Sequence, residues 1–285
     1  MIETILYPVL IFMVLGAAMG GLLAFASRIF AVKKDERAEE ILTCLPGANC
    51  GGCGYTGCAA FAQAVSDGEA APTGCSVGGA EVAAKIGAIM GVEVGGMVKM
   101  RAQVMCSGTS EFAKKKYIYE GVPDCVAASK IGGSDKICQN GCIGLGTCVA
   151  VCPVAAIHVE MGVAAVDYTK CIGCGVCTHA CPRGIIQLIP FDARHWVGCK
   201  AEESGKKVRK YCDVGCIGCG LCARNCPETA ITIADRVAAI DYSKCTGCDK
   251  CVDKCPRKII WSGETQGKLG LVITRIPEEA LLDKE

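Results

Sequence analysis

Nothing in this sequence offers a nucleotide a place to sit. No G-x-G-x-x-G run follows a strand-like segment, and no phosphate-binding loop is present. Charge of either sign is also without excess. With a formal net charge of +1, no overall basic or acidic field points to nucleic acid. Histidine is scarce: His158, His179 and His195 share no spacing, so imidazole ligation or acid–base chemistry has no pattern to rest on. Aromatic residues make up 5% of the chain, and Trp196 and Trp261 read as packing residues.

The longest absence is of charge, from Ile5 to Ser27. A bilayer crossing needs roughly 20 apolar residues, so this stretch predicts one span. A cleaved signal peptide fits poorly, because no basic segment precedes it and the apolar run is long. Arg28, Lys33, Lys34 and Arg37 come next. The positive-inside rule then puts the N-terminus outside a prokaryotic inner membrane and the rest of the chain in the cytoplasm. Without an acid or amine inside the bilayer the span carries no ion; it anchors. Gly16 and Gly20, with Ala17 and Gly21 beside them, would let a second helix approach closely. The alternative is that glycine is simply common in membrane helices. Residues 31–42 read as a charged helix continuing outward as a spacer.

What the chain has in quantity is cysteine, 25 residues of it. It is too long to be a disulfide mini-protein, and thiols two residues apart bridge one another poorly. Thiolates grouped this tightly are metal ligands in a reducing compartment. Bonds to metal also let small domains fold on modest apolar cores. The first group is Cys50-x2-Cys53-x4-Cys58-x16-Cys75, with glycines at 51, 52, 54 and 57. Glycine lets backbone wrap an inorganic cube and aim amides at it, so this group predicts a [4Fe–4S] cluster rather than structural zinc. Residues 59–65 and 80–90 read as helices. Residues 97–105 alternate as a strand, with Val98, Met100, Ala102 and Val104 on one face and Lys99, Arg101 and Gln103 on the other.

The C-terminal half is an ungapped repeat. Each cysteine from 138 to 181 meets another 74 positions on, and VAAVDYTKCIGC is answered by VAAIDYSKCTGC. The second copy carries two C-x2-C-x2-C-x3-C-P runs. In two-cluster bacterial ferredoxins the fourth cysteine of each run ligates the other cluster. Crossing gives cluster 4 on Cys216, Cys219, Cys222 and Cys255, and cluster 5 on Cys245, Cys248, Cys251 and Cys226. The first copy gives cluster 3 on Cys171, Cys174, Cys177 and Cys152. Its cluster 2 keeps Cys142, Cys148 and Cys181 but has Leu145 where Cys219 stands, and nearby Cys138 is the expected replacement. A three-iron cluster on three thiolates is the competing reading. With Cys50, Cys53, Cys58 and Cys75 as cluster 1, five clusters are expected. Cys44 is a bystander. The ungapped offset pairs Cys125 with Cys199, and a sixth site on Cys106, Cys125, Cys199 and Cys212 competes with four free thiols.

A single span, then NCGGCGYTGC with its distant fourth cysteine, then tandem ferredoxin runs, resembles the B subunits of the Rnf complexes over nearly the whole chain. The resemblance implies an electron-transfer subunit of an ion-pumping ferredoxin:NAD oxidoreductase. Reduced ferredoxin would be its donor, and flavin- and NAD-binding sites would lie on other subunits of the membrane complex. Rivals are an electron-transfer subunit of a hydrogenase, formate dehydrogenase or complex-I-like enzyme, and a zinc-stabilised membrane adaptor. The expected fold is α+β, with no nucleic-acid partner. The divisions are an anchor at 1–30, spacer at 31–43, small helical [4Fe–4S] domain at 44–96 and connector at 97–137. A first bacterial-ferredoxin-like module at 138–190, connector at 191–211, second module at 212–262 and tail at 263–285 complete it.

Overall fold

In the computed structural model of the chain, residues 2–29 and 35–262 are described. Lys33, Lys34 and the tail at 263–285 fall outside them. Helix α1 (Ile2–Ile29) is long and apolar enough to cross a membrane, and its window Leu10–Ser27 buries nothing against the rest of the chain. Leu15, Met19, Leu22, Leu23 and Phe25 stand exposed, as lipid-facing residues should. A Cβ added at Gly16, Gly20 or Gly21 would meet nothing, so that face is open.

Helix α2 (Glu36–Cys44) starts from Asp35, whose carboxylate accepts the Arg37 amide and the Ser66 hydroxyl. It packs with α3 (Cys58–Ser66) and α4 (Gly79–Met90) around Ile41, Phe61, Val65 and Ile86. Burying each such side chain contributes about 1.5–3 kcal/mol. Helix α4 ends at Gly91, whose φ of 69° places it in the left-handed conformation that closes a helix. Both helices expected over 59–65 and 80–90 are present.

Strand β1 (Met100–Val104) pairs antiparallel with β4 (Ile186–Pro190), Met100 opposite Pro190 and Val104 opposite Ile186. Between them lie α5 (Cys125–Lys130), α6 (Thr147–Ala150), the hairpin β2 (Ile157–Glu160) with β3 (Val163–Val166), and α7 (Val176–Ala180). The second module repeats the plan. Strand β5 (His195–Val197) pairs with β8 (Ile260–Ser262), enclosing α8 (Gly205–Tyr211), α9 (Leu221–Arg224), hairpin β6 (Ile231–Ala234) with β7 (Val237–Ile240), and α10 (Lys250–Lys254). Each ferredoxin-type module is thus closed by a strand from the connector before it.

The polar face of β1 does not meet water. Arg101 is fully buried; it donates to the Phe191 and Ala193 carbonyls and lies 3.9 Å over the Tyr168 ring. Gln103, also buried, accepts from Arg101 and from the Tyr168 hydroxyl. Trp196, Trp261, Met105 and Ile189 pack alongside at the junction of the modules.

Candidate metal centres

Cys50, Cys53, Cys58 and Cys75 line one cavity of about 350 Å³, walled by Leu45, Phe61 and Val77. The loop is held by Asn49, whose side-chain oxygen accepts the Cys58 amide at 2.8 Å, and the Gly78 amide donates to Cys75 Sγ at 3.4 Å. Burial pushes the Cys75 thiol up. Gly52 abuts the first module so closely that a Cβ there would lie 2.1 Å from the Cys174 carbonyl oxygen.

In the second module, Cys216, Cys219 and Cys222 of the first run share a cavity of about 330 Å³ with Cys255 of the second. The run is therefore crossed in space. Burial pushes Cys251 up to about 12, with Cys245 and Cys248 beside it, and Cys226 packs on the same core. Their counterparts in the first module behave alike. Cys177 is raised to about 12 by burial, then by Cys171, Cys174 and Cys152. The Ala156 amide donates to Cys152 Sγ, and the β1 amide of Ala102 to Cys171 Sγ.

The expected set of Cys138 with Cys142, Cys148 and Cys181 is not brought together. The cysteine that lines a cavity of about 380 Å³ with Cys142, Cys148 and Cys181 is Cys125. Asp124 caps α5 through the Ala127 amide and also accepts the Thr147 hydroxyl, while Thr147 accepts the Cys125 amide at 2.7 Å. That clip seats Cys125 on the module, and Leu145 packs beside it in the patch formed by Cys125, Ala128 and Ile143. Burial pushes Cys148 up to about 12, followed by the charges of Cys125 and Cys181.

Cys138 instead lines a cavity of about 390 Å³ at the junction of the modules, with Cys106, Cys199 and Cys212. Pairing Cys125 with Cys199 by offset is a coincidence. The Cys142 amide donates to Cys106 Sγ at 3.4 Å, and the Cys216 amide, 74 positions on, donates to Cys199 Sγ at 3.2 Å. Likewise the Met105 amide bonds the Ile185 carbonyl, and the Gly198 amide bonds the Ile259 carbonyl. Cys106 is thus the counterpart of Cys199. The first connector is the longer one, and the extra residues include α5. The signal was present as V-x-C at the end of each closing strand, Val104-Met105-Cys106 and Val197-Gly198-Cys199, but only a gapped comparison aligns it.

These donor sets surround voids. Among the described residues no three or more His, Cys, Asp or Glu are placed to hold a single metal ion. A tetrahedral zinc needs its sulfurs about 2.3 Å from one point, whereas a cube of iron and sulfide holds them apart. The all-cysteine donors and the amides aimed at sulfur fit [4Fe–4S] groups. Cys44 packs on the N-terminal helical core. His195 is buried and pairs at 2.7 Å with Asp249, in the loop between Cys248 and Cys251.

Residues 45–77 match the FeS family of Fe-S cluster segments, 164–187 a 4Fe-4S binding domain and 215–259 a 4Fe-4S dicluster domain. The chain is 45% identical over 246 residues to the B subunit of the Na(+)-translocating ferredoxin:NAD(+) oxidoreductase complex of Acetobacterium woodii, a match spanning 86% of this chain and 74% of the relative. It is 40% identical over 81% of its length to the B subunit of the ion-translocating oxidoreductase complex of Methanosarcina acetivorans, of which it covers 88%. To the B subunit of the proton-translocating ferredoxin:NAD(+) oxidoreductase complex of Clostridium ljungdahlii it is 39% identical over 85% of its length and 86% of the relative's.

Proposed function

The chain belongs to the B subunits of ion-translocating ferredoxin:NAD oxidoreductase complexes, and from that premise we propose how its residues serve that role. It is the iron–sulfur electron-transfer subunit of a multisubunit membrane complex, and family membership removes both rivals raised by the sequence. Reduced ferredoxin is its donor, and its acceptors are membrane partners that carry the flavin and NAD sites. Bound to it, [4Fe–4S] groups supply one-electron redox chemistry, tunable between roughly −700 and +450 mV.

Five thiolate sets hold them: Cys50, Cys53, Cys58 and Cys75; Cys125, Cys142, Cys148 and Cys181; Cys152, Cys171, Cys174 and Cys177; Cys216, Cys219, Cys222 and Cys255; and Cys226, Cys245, Cys248 and Cys251. Backbone amides aimed at sulfur stabilise added negative charge. Helix α1 tethers the sets to the cytoplasmic face, and with no acid or amine between Ile5 and Ser27 it leaves the ion path to the partners. The domain divisions read from the sequence are kept, with the connector at 97–137 lending β1, Cys106 and Cys125 to the first module.

The observation that supports this reading most directly is the crossing of Cys255 into the cavity of Cys216, Cys219 and Cys222. Anaerobically purified chain mixed with reduced ferredoxin should bleach in the visible and develop EPR signals of reduced [4Fe–4S] clusters. A colourless protein, or one that ferredoxin leaves oxidised, would overturn the proposal.

A further inference from the structure

The cavity at the junction of the two modules is left over once five sets are assigned, and it is built like the others. Cys106 and Cys138 come from the first half, Cys199 and Cys212 from the second. The pairs are equivalent: Cys106 and Cys199 each end a V-x-C strand, and Cys138 and Cys212 stand 74 apart. Each half therefore supplies two thiols to the site.

Amides are already turned toward these sulfurs. Cys106 Sγ accepts from Cys142, and Cys199 Sγ from Ala201 and Cys216. Burial holds Cys138 above the usual thiol range despite the amides of Asn140 and Gly141, and lifts Cys199 to about 12. Glycine stands at points of the wall, among Val208, Val214 and Tyr211. A Cβ at Gly108 would lie 3.6 Å from Cys212 Sγ and 3.7 Å from Cys106 Sγ, and one at Gly141 would lie 3.3 Å from Cys138 Sγ. A buried cation completes the lining. Lys136 is 2% exposed and donates to the Gly108 and Gly162 carbonyls at 2.8 and 2.7 Å, with no carboxylate partner in either contact. Free thiols need neither the amides nor the lysine; a cluster with net negative charge uses both.

We infer that Cys106, Cys138, Cys199 and Cys212 hold a sixth [4Fe–4S] cluster that joins the two modules into one electron path. The inference rests on the reading of the chain as a cluster carrier. Position supports the joining role. The amides on this site belong to Cys142 and Cys216, which are themselves ligands of the flanking sets. Together with the Gly52 contact at Cys174, the order along the chain's interior is then the Cys50, Cys171, Cys142, Cys106, Cys216 and Cys245 sets.

Native mass spectrometry of the anaerobic full-length chain in detergent decides the count. Six clusters should give about 24 iron and 24 sulfide per chain, and five about 20 of each. The variant Cys106→Ser with Cys199→Ser should lose about four iron and retain the EPR signals of the other sets. In rapid-mixing experiments with reduced ferredoxin, the signals of the two modules should rise together in the wild type and separate in time in this variant. Wild-type chain with about 20 iron and these four cysteines open to alkylation, or with one zinc in place of the sixth cluster, overturns the inference while leaving the five-cluster reading intact. Loss of that reading would show instead as absence of iron throughout. Should the double variant not fold, the wild-type count still stands as the deciding measurement.

Discussion

The two ferredoxin modules share a plan and differ in how much of it is their own. The second carries all its ligands in its own runs and leaves two of them, Cys219 and Cys248, exposed. The first has Leu145 in place of a ligand and takes parts from outside itself: α5 brings Cys125 to that gap, β1 brings the Ala102 amide to Cys171, and the N-terminal loop presses Gly52 onto Cys174. A missing ligand was thus answered from outside the repeat, by a helix in the preceding connector. The module that lost autonomy is also the one enclosed by its neighbours.

That contrast can be broken most severely at Cys125. Cys125→Ser should cost the first module about four iron, or leave a three-iron centre with its own EPR signal. Adding Leu145→Cys should restore the full cluster by giving the first module the spacing of the second. Cys138→Ser should leave this cluster untouched, and EPR with iron analysis reads all three outcomes.

Next in size is Arg101, which ties β1 to the segment after β4. Arg101→Met would leave the Phe191 and Ala193 carbonyls unpaired, at about 1–3 kcal/mol each. Thermal unfolding should shift downward, with the first-module signals lost before those of the second. Gly52→Ala should act more locally. A Cβ 2.1 Å from a backbone oxygen forces a displacement, so the N-terminal domain should lift from Cys174 and magnetic coupling between those two centres should weaken, while both stay iron-replete.

The smallest effect concerns the wild type itself. Under limited oxygen or a mild chelator, the clusters on Cys219 and Cys248 should bleach ahead of those in the first module. Simultaneous loss from both modules would show that the enclosure of the first has no protective consequence.

Local spacing made much of this legible beforehand. The C-x2-C-x2-C-x3-C-P runs fix three thiols of a set by their short spacing, and the two-cluster ferredoxin pattern supplies the crossed fourth. The glycines around Cys50 announced a tight wrap, and the short helices α3 and α4 followed from apolar spacing. What failed was anything that depended on the third dimension. Cys125 reaches its cavity only because Asp124 and Thr147 clip α5 to the module, and no local pattern encodes that clip. The ungapped repeat was correct from Cys138 onward and misleading upstream, where added chain in the first connector shifted the register. Arg101 and Gln103 looked like an ordinary polar face because stacking on Tyr168 and bonding to distant carbonyls leave no mark in the strand itself.

The paired origin of the thiols in the junction cavity bears on how such a protein could arise. One module with its preceding V-x-C strand presents two inward thiols, Cys199 and Cys212 in the second copy, and two are too few to grip a cube of iron and sulfide. When a gene segment encoding them is duplicated and both copies turn these thiols to one cavity, the same two thiols appear twice around one point. A four-ligand site then arrives in a single genetic event, without selection for each cysteine in turn. Later lengthening of one connector could divert a new thiol to a neighbouring defect, as at Cys125, while the inherited quartet stayed whole.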